Sequence, residues 1–167
     1  MAKITHEHAH EEAEFAQLAA LFFGEPQSAR KQASKGFIPS HSIADKRIQI
    51  HHRIEQGVPV KSVQIGKVVG FTMDETAKMI GVSTKTLQRK IEKNTPLTQV
   101  EGDRLYRVVE IFTFALDVFR DFRAVRDWIE SPQPALGGSL PRDLMRSAAG
   151  AEEVMNLLGR IKYGVIS

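Results

Sequence analysis

The sequence predicts an all-α protein, on three observations. Apolar residues recur at helical spacing along most of the 167 residues, and no segment alternates apolar and polar residues as a half-buried strand does. Glycine or proline separates one helical pattern from the next. A composition of 42% apolar and 26% charged residues is that of an ordinary globular protein.

Composition also excludes several classes of protein. The chain has no cysteine, which rules out disulfides, thiolate catalysis and cysteine-bound zinc. No segment near the N-terminus resembles a signal peptide, and no apolar run reaches the roughly 18 residues of a membrane span. We therefore expect a cytoplasmic protein with no membrane partner. The net charge of +3 is too small to indicate nucleic-acid binding by itself.

Residues 1–40 are predicted to form an amphipathic helix followed by a linker. The helix runs from about Thr5 to Phe23, and Gly24 and Pro26 end it. We expect its apolar stripe to make core or dimer contacts, and the stripe consists of Phe15, Leu18, Ala19 and Phe22.

Residues 41–96 are predicted to form a helix-turn-helix DNA-binding domain. Its helices are expected at four places, about Ser42–Gln56, Pro59–Val69, Met73–Ile80 and Ser83–Lys93. Ala77 is small enough to let two helices cross closely, and Gly81 can adopt the left-handed turn between them. The second helix of such a motif lies in the major groove of DNA.

That second helix is predicted to read DNA. If Leu87 and Ile91 point into the core, the opposite face is basic and exposed. Glutamine can bond adenine, lysine or arginine can bond guanine, and an N-cap serine leaves the helix N-terminus open to a phosphate. We expect Lys90 and Lys93 to contact phosphates. The full predicted DNA-binding set is Ser83, Thr84, Lys85, Gln88, Arg89, Lys90 and Lys93. A solvated helix face with no DNA ligand is the alternative.

The longest periodic element spans Leu97 to Asp121. One side carries Val108, Val109, Phe112, Leu116 and Phe119, and the other carries Ile111, Phe114 and Val118. A helix that is apolar on two sides must be covered on two sides. It therefore either runs through the middle of the domain or supplies a dimer interface. A homodimer is expected in any case, because paired recognition helices require a two-fold partner.

The C-terminal part of the chain carries a long and specific pattern. Trp128 is followed by Pro-x-Pro-x-Leu-Gly-Gly from Pro132 to Gly138, and Arg160-x-x-Tyr-Gly ends at Gly164. From Gly57 onward, the chain resembles the antitoxins of RES–Xre toxin–antitoxin pairs. The C-terminal part of those proteins is known as the Xre/MbcA/ParS-like toxin-binding domain.

The resemblance implies that residues 97–167 form a helical domain for toxin binding and dimerisation. It also implies a partner, a RES-domain toxin that consumes NAD, whose active site the C-terminal region of the antitoxin covers. We expect a last helix that follows Gly150. The predicted toxin-binding set is Trp128, Leu136, Gly137, Gly138, Arg160, Lys162, Tyr163 and Gly164. The alternative for the last four is an ordinary helix end with cations near its C-terminus.

The leading hypothesis is an antitoxin of type II that binds operator DNA, represses its own operon and neutralises a co-encoded toxin. No nucleophile–base pair, carboxylate dyad or phosphate-binding glycine loop is visible, so we expect neither catalysis nor a cofactor. His6, His8 and His10 lie among glutamates without a shielding shell, and no metal site is predicted. One alternative is a stand-alone helix-turn-helix regulator with a dimerisation or ligand-sensing C-terminal domain. Another is a pole-organising scaffold.

Overall fold

The computed structural model describes residues 2–23 and 43–164, and these residues form helices and connecting turns without any strand. The predicted all-α class is confirmed. The α-helices are α1 (Ala2–Phe23), α2 (Ile43–Glu55), α3 (Gln64–Val68), α4 (Met73–Ile80), α5 (Thr84–Glu92), α6 (Gln99–Phe119), α7 (Phe122–Ile129), α8 (Pro141–Leu144) and α9 (Ala148–Tyr163). Short 3-10 helices at Val60–Val63 and Pro134–Leu136 precede α3 and α8. Of the helices described, none combines the length and the apolarity that crossing a membrane requires.

Helix α6 occupies the centre of the molecule. It begins at a capping box, in which the Thr98 side chain accepts from the Glu101 N–H and the Glu101 carboxylate accepts from the Thr98 N–H. It then packs against α2, α4, α7 and α9. Its fully covered side chains include Leu105, Val109 and Phe112. Of the two alternatives predicted for this helix, a course through the middle of the molecule is the one that the structure shows. Phe114 and Val118 on its other side are half-buried.

Helix α1 belongs to the same core. Phe15 packs between Phe112 and Phe122, with ring centroids 5.9 and 5.8 Å away, and Phe22 is fully buried. An ion pair of 3.2 Å joins Glu11 to Arg126 on α7. The predicted core contacts of this helix are confirmed. Gly24, Pro26 and the predicted linker lie outside the described residues.

The last helix begins earlier than predicted. Ser147 caps it by accepting from the N–H of Gly150, so Gly150 lies inside the first turn and does not precede the helix. A Cβ at this buried glycine would collide with the carbonyl oxygen of Leu144 on α8. The glycine is required for close helix packing, and a sequence reading that treats it as a boundary is wrong at this position.

Candidate functional site

The turn motif forms as predicted. Thr72 and Glu75 make a capping box that begins α4, Ala77 is fully buried, and Gly81 ends the helix with a φ of 80° in the left-handed region. Arg104 of α6 donates to the carbonyl oxygen of Ile80 at 3.2 Å, so the turn is also held from outside the motif. Sequence spacing contains no signal for that contact.

Helix α5 presents a basic face to solvent. The Ser83 side chain accepts from the N–H of Thr86 and caps the helix, which confirms its predicted N-cap role. Leu87 is fully buried and anchors the helix. The exposed side of the helix carries four residues of the predicted DNA-binding set, namely Lys85, Gln88, Arg89 and Lys93.

The core position predicted for Ile91 is wrong. Its side chain is 39% exposed, because it lies at the edge of a groove that Val60, Phe71 and Met73 only partly fill. Leu87 is therefore the one buried side chain on the face of α5 that packs on the domain.

Besides the N-cap Ser83, two further members of the predicted DNA-binding set have partners inside the protein. The Thr84 hydroxyl donates to Asp74 at 2.8 Å, and hydrogen bonds from Lys78 and then Thr84 hold the pKa of Asp74 below its ordinary value. Lys90 lies 3.0 Å from the Glu101 carboxylate and is only 14% exposed. Lys90 thus joins the end of α5 to the start of α6, away from the exposed basic face where it was predicted.

The loop after Trp128 is compact. The Trp128 ring lies 5.6 Å from that of Phe119, and Leu136 is partly buried against the core. Gly137 and Gly138 have φ angles of 65° and 78°, which favour glycine. In the described part of the chain, no heavy atom other than those of the glycine itself and its two chain neighbours lies within 4 Å of where a Cβ would stand on either residue. These glycines therefore serve the turn geometry and leave the outer surface of the loop open.

The end of α9 presents an aromatic side chain beside a locally neutralised lysine. The ammonium group of Lys162 lies 2.5 Å from the Asp117 carboxylate and 5.1 Å from the centre of the Phe114 ring. The hydrogen bond from Lys162 lowers the pKa of Asp117, and the same bond raises the pKa of Lys162. Tyr163 is 72% exposed.

The structure also describes the other two residues of the predicted toxin-binding set at the end of α9. Arg160 is exposed, and Gly164 ends the helix with a φ of 70°. The 3-10 helix Pro134–Leu136 packs against α9, so the structure brings the loop and the last helix together.

Arg142 of α8 makes contacts that sequence reasoning missed. Its guanidinium group pairs with Glu75 of the α4 capping box, lies 3.5 Å from Glu130, and stacks 5.2 Å from the centre of the Phe71 ring. The backbone N–H of Thr72 lowers the pKa of Glu75, and Arg142 adds to that effect. This side chain ties the turn motif to the C-terminal region, across 67 residues of sequence.

No metal centre is present among the side chains that the structure describes, where no three histidine or acidic residues come together. His10 is exposed, while the side chains of His6 and His8 lie outside the described part.

Two stretches of the chain match known families of protein domains. Residues 49–110 match the antitoxin Xre-like helix-turn-helix domain, and residues 115–164 match the antitoxin Xre/MbcA/ParS C-terminal toxin-binding domain. The chain belongs to the Xre family of antitoxins. The resemblance seen in the sequence is confirmed.

Curated members of the Xre family align over much of the chain. The antitoxin Xre of Photorhabdus laumondii is 26% identical over 145 residues, which is 78% of this chain and 98% of that protein. The antitoxin Xre of Pseudomonas putida is 28% identical over 120 residues, or 70% of this chain and 72% of that protein. The antitoxin Xre of Yersinia enterocolitica is 31% identical over 94 residues, or 56% and 64% of the two proteins.

Both candidate surfaces fall within the domains matched to the Xre family. The exposed face of α5 lies in the helix-turn-helix domain, and the loop and α9 lie in the toxin-binding domain. Helix α1 lies outside both matched ranges, although its side chains complete the core of both domains.

Proposed function

We propose that this chain is the antitoxin of a type II toxin–antitoxin pair and acts in the cytoplasm. It binds the operator of its own operon through α5 and represses transcription. It neutralises a co-encoded RES-domain toxin, which consumes NAD, by covering the toxin's active site with its C-terminal region. The observation that carries this proposal is the combination, in one Xre-family chain, of an exposed basic α5 and a matched toxin-binding domain.

The DNA-binding half of the proposal rests on the exposed face of α5. Lys85, Gln88 and Arg89 project from a capped helix whose opposite side is anchored by Leu87. Lysine and arginine suit the acceptors of guanine, and glutamine suits adenine. Ser83 and Lys93 are assigned to phosphates, whereas Thr84 and Lys90 position the helix through their internal partners.

The toxin-binding half rests on the surface shared by the loop and α9. Leu136 and Trp128 hold the loop against the core, and Gly137 and Gly138 leave its outer surface open. At the end of α9, we assign the contacts with the toxin's active site to two exposed side chains, Arg160 and Tyr163. Arg160 makes no ion pair with another described residue, and the centre of the Tyr163 ring lies 5.5 Å from the ammonium group of Lys162. Lys162 supports them through its contact with Asp117.

A homodimer forms part of this proposal. Operators of helix-turn-helix proteins are commonly read by two recognition helices related by a two-fold axis, one helical turn of DNA apart. Sedimentation analysis of the full chain tests this, and a dimer is the expected species.

The decisive experiment is co-expression with the adjacent reading frame while growth and cellular NAD are followed. We expect the neighbour alone to stop growth and deplete NAD, and this chain to restore both. A variant lacking Lys162 to Ser167 should bind operator DNA normally but fail to neutralise. Arg89→Ala should show the reverse pattern, with operator affinity reduced by about 1–3 kcal/mol.

A harmless neighbour would contradict the antitoxin function and favour a stand-alone regulator. Neutralisation that survives the C-terminal deletion would show that another surface covers the toxin. Self-assembly into large arrays without operator binding would favour a scaffold.

A further inference from the structure

A groove lies beside the C-terminal end of the recognition helix α5. It holds about 280 Å³ between the 3-10 helix Val60–Val63, α3, the start of α4 and the end of α5. Its floor is apolar and includes Phe71, Met73 and Ile91, the last two of which are exposed. An exposed apolar surface next to a helix that is expected to contact DNA indicates a ligand with an apolar face.

The described rim of the groove is polar, and its charged side chains are lysines. Four polar side chains with exposed surface stand on it, Lys61, Gln64, Lys67 and Asn94, and no carboxylate lines the groove among the residues that the structure describes. Within residues 2–23 and 43–164, none of these four side chains makes an ion pair or a hydrogen bond. They are therefore free to bind an anion from outside the protein.

The groove is continuous with the basic face of α5. Asn94 ends the helix with a φ of 47°, and the N–H of Thr95 donates to the carbonyl oxygen of Lys90 at 2.9 Å, which closes the helix end firmly. Ile91 and Asn94 line the groove one turn beyond Gln88 and Arg89. The groove and the exposed cations of α5 thus lie at the same end of this helix, where Glu92 is the exposed acidic residue of α5.

The alternatives to a polyanion fit this surface less well. If two copies of the chain met groove to groove across a two-fold axis, the lysines of one would face those of the other, which is unfavourable. A strand of DNA offers regularly spaced phosphates for the rim and deoxyribose carbons for the apolar floor. It also passes close to any helix inserted in its major groove.

We propose that Lys61 and Lys67 bind phosphates of the DNA backbone that flanks the recognition helix, with Gln64 and Asn94 as further donors. The DNA-contact surface then extends from α5 across the groove to α3. This inference rests on the proposed DNA-binding function. It supplies phosphate contacts at a place the sequence did not indicate, while Lys90 is held by Glu101.

The test is the salt dependence of binding by the full-length chain. Two duplexes of equal length are used, one from the region upstream of its own gene and one with that sequence scrambled. Affinities are measured between about 50 and 200 mM salt for the wild type and for Lys61→Gln/Lys67→Gln. Arg123→Gln, an exposed position on α7, is the control for the loss of charge alone.

The slope of log affinity against log salt is negative, and each lost phosphate contact should reduce its magnitude by about 0.9. The slope of the double variant should therefore be smaller in magnitude by about 1.8. Between about 50 and 200 mM salt, the factor by which its affinity falls should be about 12 times smaller than the factor for the wild type. The change should be equal on both duplexes, because phosphate contacts are independent of sequence. Arg123→Gln should keep the wild-type slope.

Operator binding with an unchanged slope in the double variant would overturn this inference and leave the DNA-binding function standing. A loss of about 0.9 from the slope in Arg123→Gln, which removes one charge where the double variant removes two, would also overturn it, since net charge alone would then explain the effect. If the double variant binds DNA normally but loses affinity for the co-encoded toxin, the groove holds an acidic protein segment instead. Failure of the wild type to bind either duplex would remove the DNA-binding function itself.

Discussion

Helices α5 and α9 both carry basic residues, but the surroundings of these residues differ. Lys85 and Arg89 on α5 are exposed and make no ion pair with any other described residue. Lys162 on α9 is bound to Asp117 and lies over the ring of Phe114. The charges of Lys85 and Arg89 are available to an external anion, whereas the charge of Lys162 is neutralised by Asp117, which leaves Arg160 as the unpaired cation in the last turn of α9 among the described residues. The same residue types therefore indicate different partners, according to what lies beside them.

The two helices also differ in how they are anchored. Helix α5 has one buried side chain, Leu87, while α9 buries several, among them Val154 and Leu158. The shorter helix depends on a single buried apolar side chain, with the polar contacts of Thr84 and Lys90 beside it. Removal of the Leu87 side chain should therefore show the difference between α5 and α9 most clearly.

The largest effect is expected from Leu87→Ala. Removing this fully buried side chain should lower the free energy of unfolding by about 2–5 kcal/mol and detach α5, so that operator binding is lost. Chemical denaturation and a DNA-binding titration measure the two effects. Ile91→Ala is the matched control and should lower stability by about 1 kcal/mol or less, since its side chain is partly exposed. Equal losses in the two variants would contradict this placement of α5.

Arg142→Ala should have the next largest effect, because it removes the tie between the turn motif and the C-terminal region. We expect the free energy of unfolding to fall by about 1–2 kcal/mol, from the lost hydrogen bonds to Glu75 and Glu130 and the lost stacking on Phe71. Denaturant titration measures it. Arg146→Ala, an exposed neighbour, should change stability by no more than about 0.5 kcal/mol. A similar loss in both would show that the ion pairs contribute little.

The N-caps of the two helices allow a matched comparison. Ser83→Ala and Ser147→Ala each remove a side chain that accepts a backbone N–H, and each should lower stability by about 1 kcal/mol. We expect operator affinity to fall only in the Ser83 variant and toxin neutralisation to weaken only in the Ser147 variant. Loss of both activities in either variant would mean that the two surfaces are not independent.

The smallest effect concerns the titration of Asp117. Lys162 lowers the pKa of this carboxyl below its ordinary value of 3.8, so the pair stabilises the fold above that pH. The contribution is lost as the pH falls through the lowered pKa. In Lys162→Met, a carboxyl NMR titration should show the pKa of Asp117 returning toward 3.8, while that of Asp74 stays low because Lys78 is unchanged. No change at Asp117 would show that Lys162 is not bound there.

Sequence reasoning succeeded where a local signal sets the structure. Helix α4 has its predicted bounds, because the Thr72 and Glu75 capping box begins it and Gly81 ends it, all within ten residues. It failed where a residue serves a distant contact. Gly150 was read as a helix boundary, but it is a packing position against Leu144.

The sequence by itself determined the helical class, the turn motif and the Xre-family resemblance, because periodicity, caps and motif residues are properties of short segments. Only the tertiary structure decided which cations are available. It joined Lys90 to Glu101 and Arg142 to Glu75, and it left Lys61 and Lys67 beside α5 without an ion pair to any residue that the structure describes. Helical periodicity assigns a residue to a face of its helix. What covers that face depends on the packing of helices that are far apart in the chain.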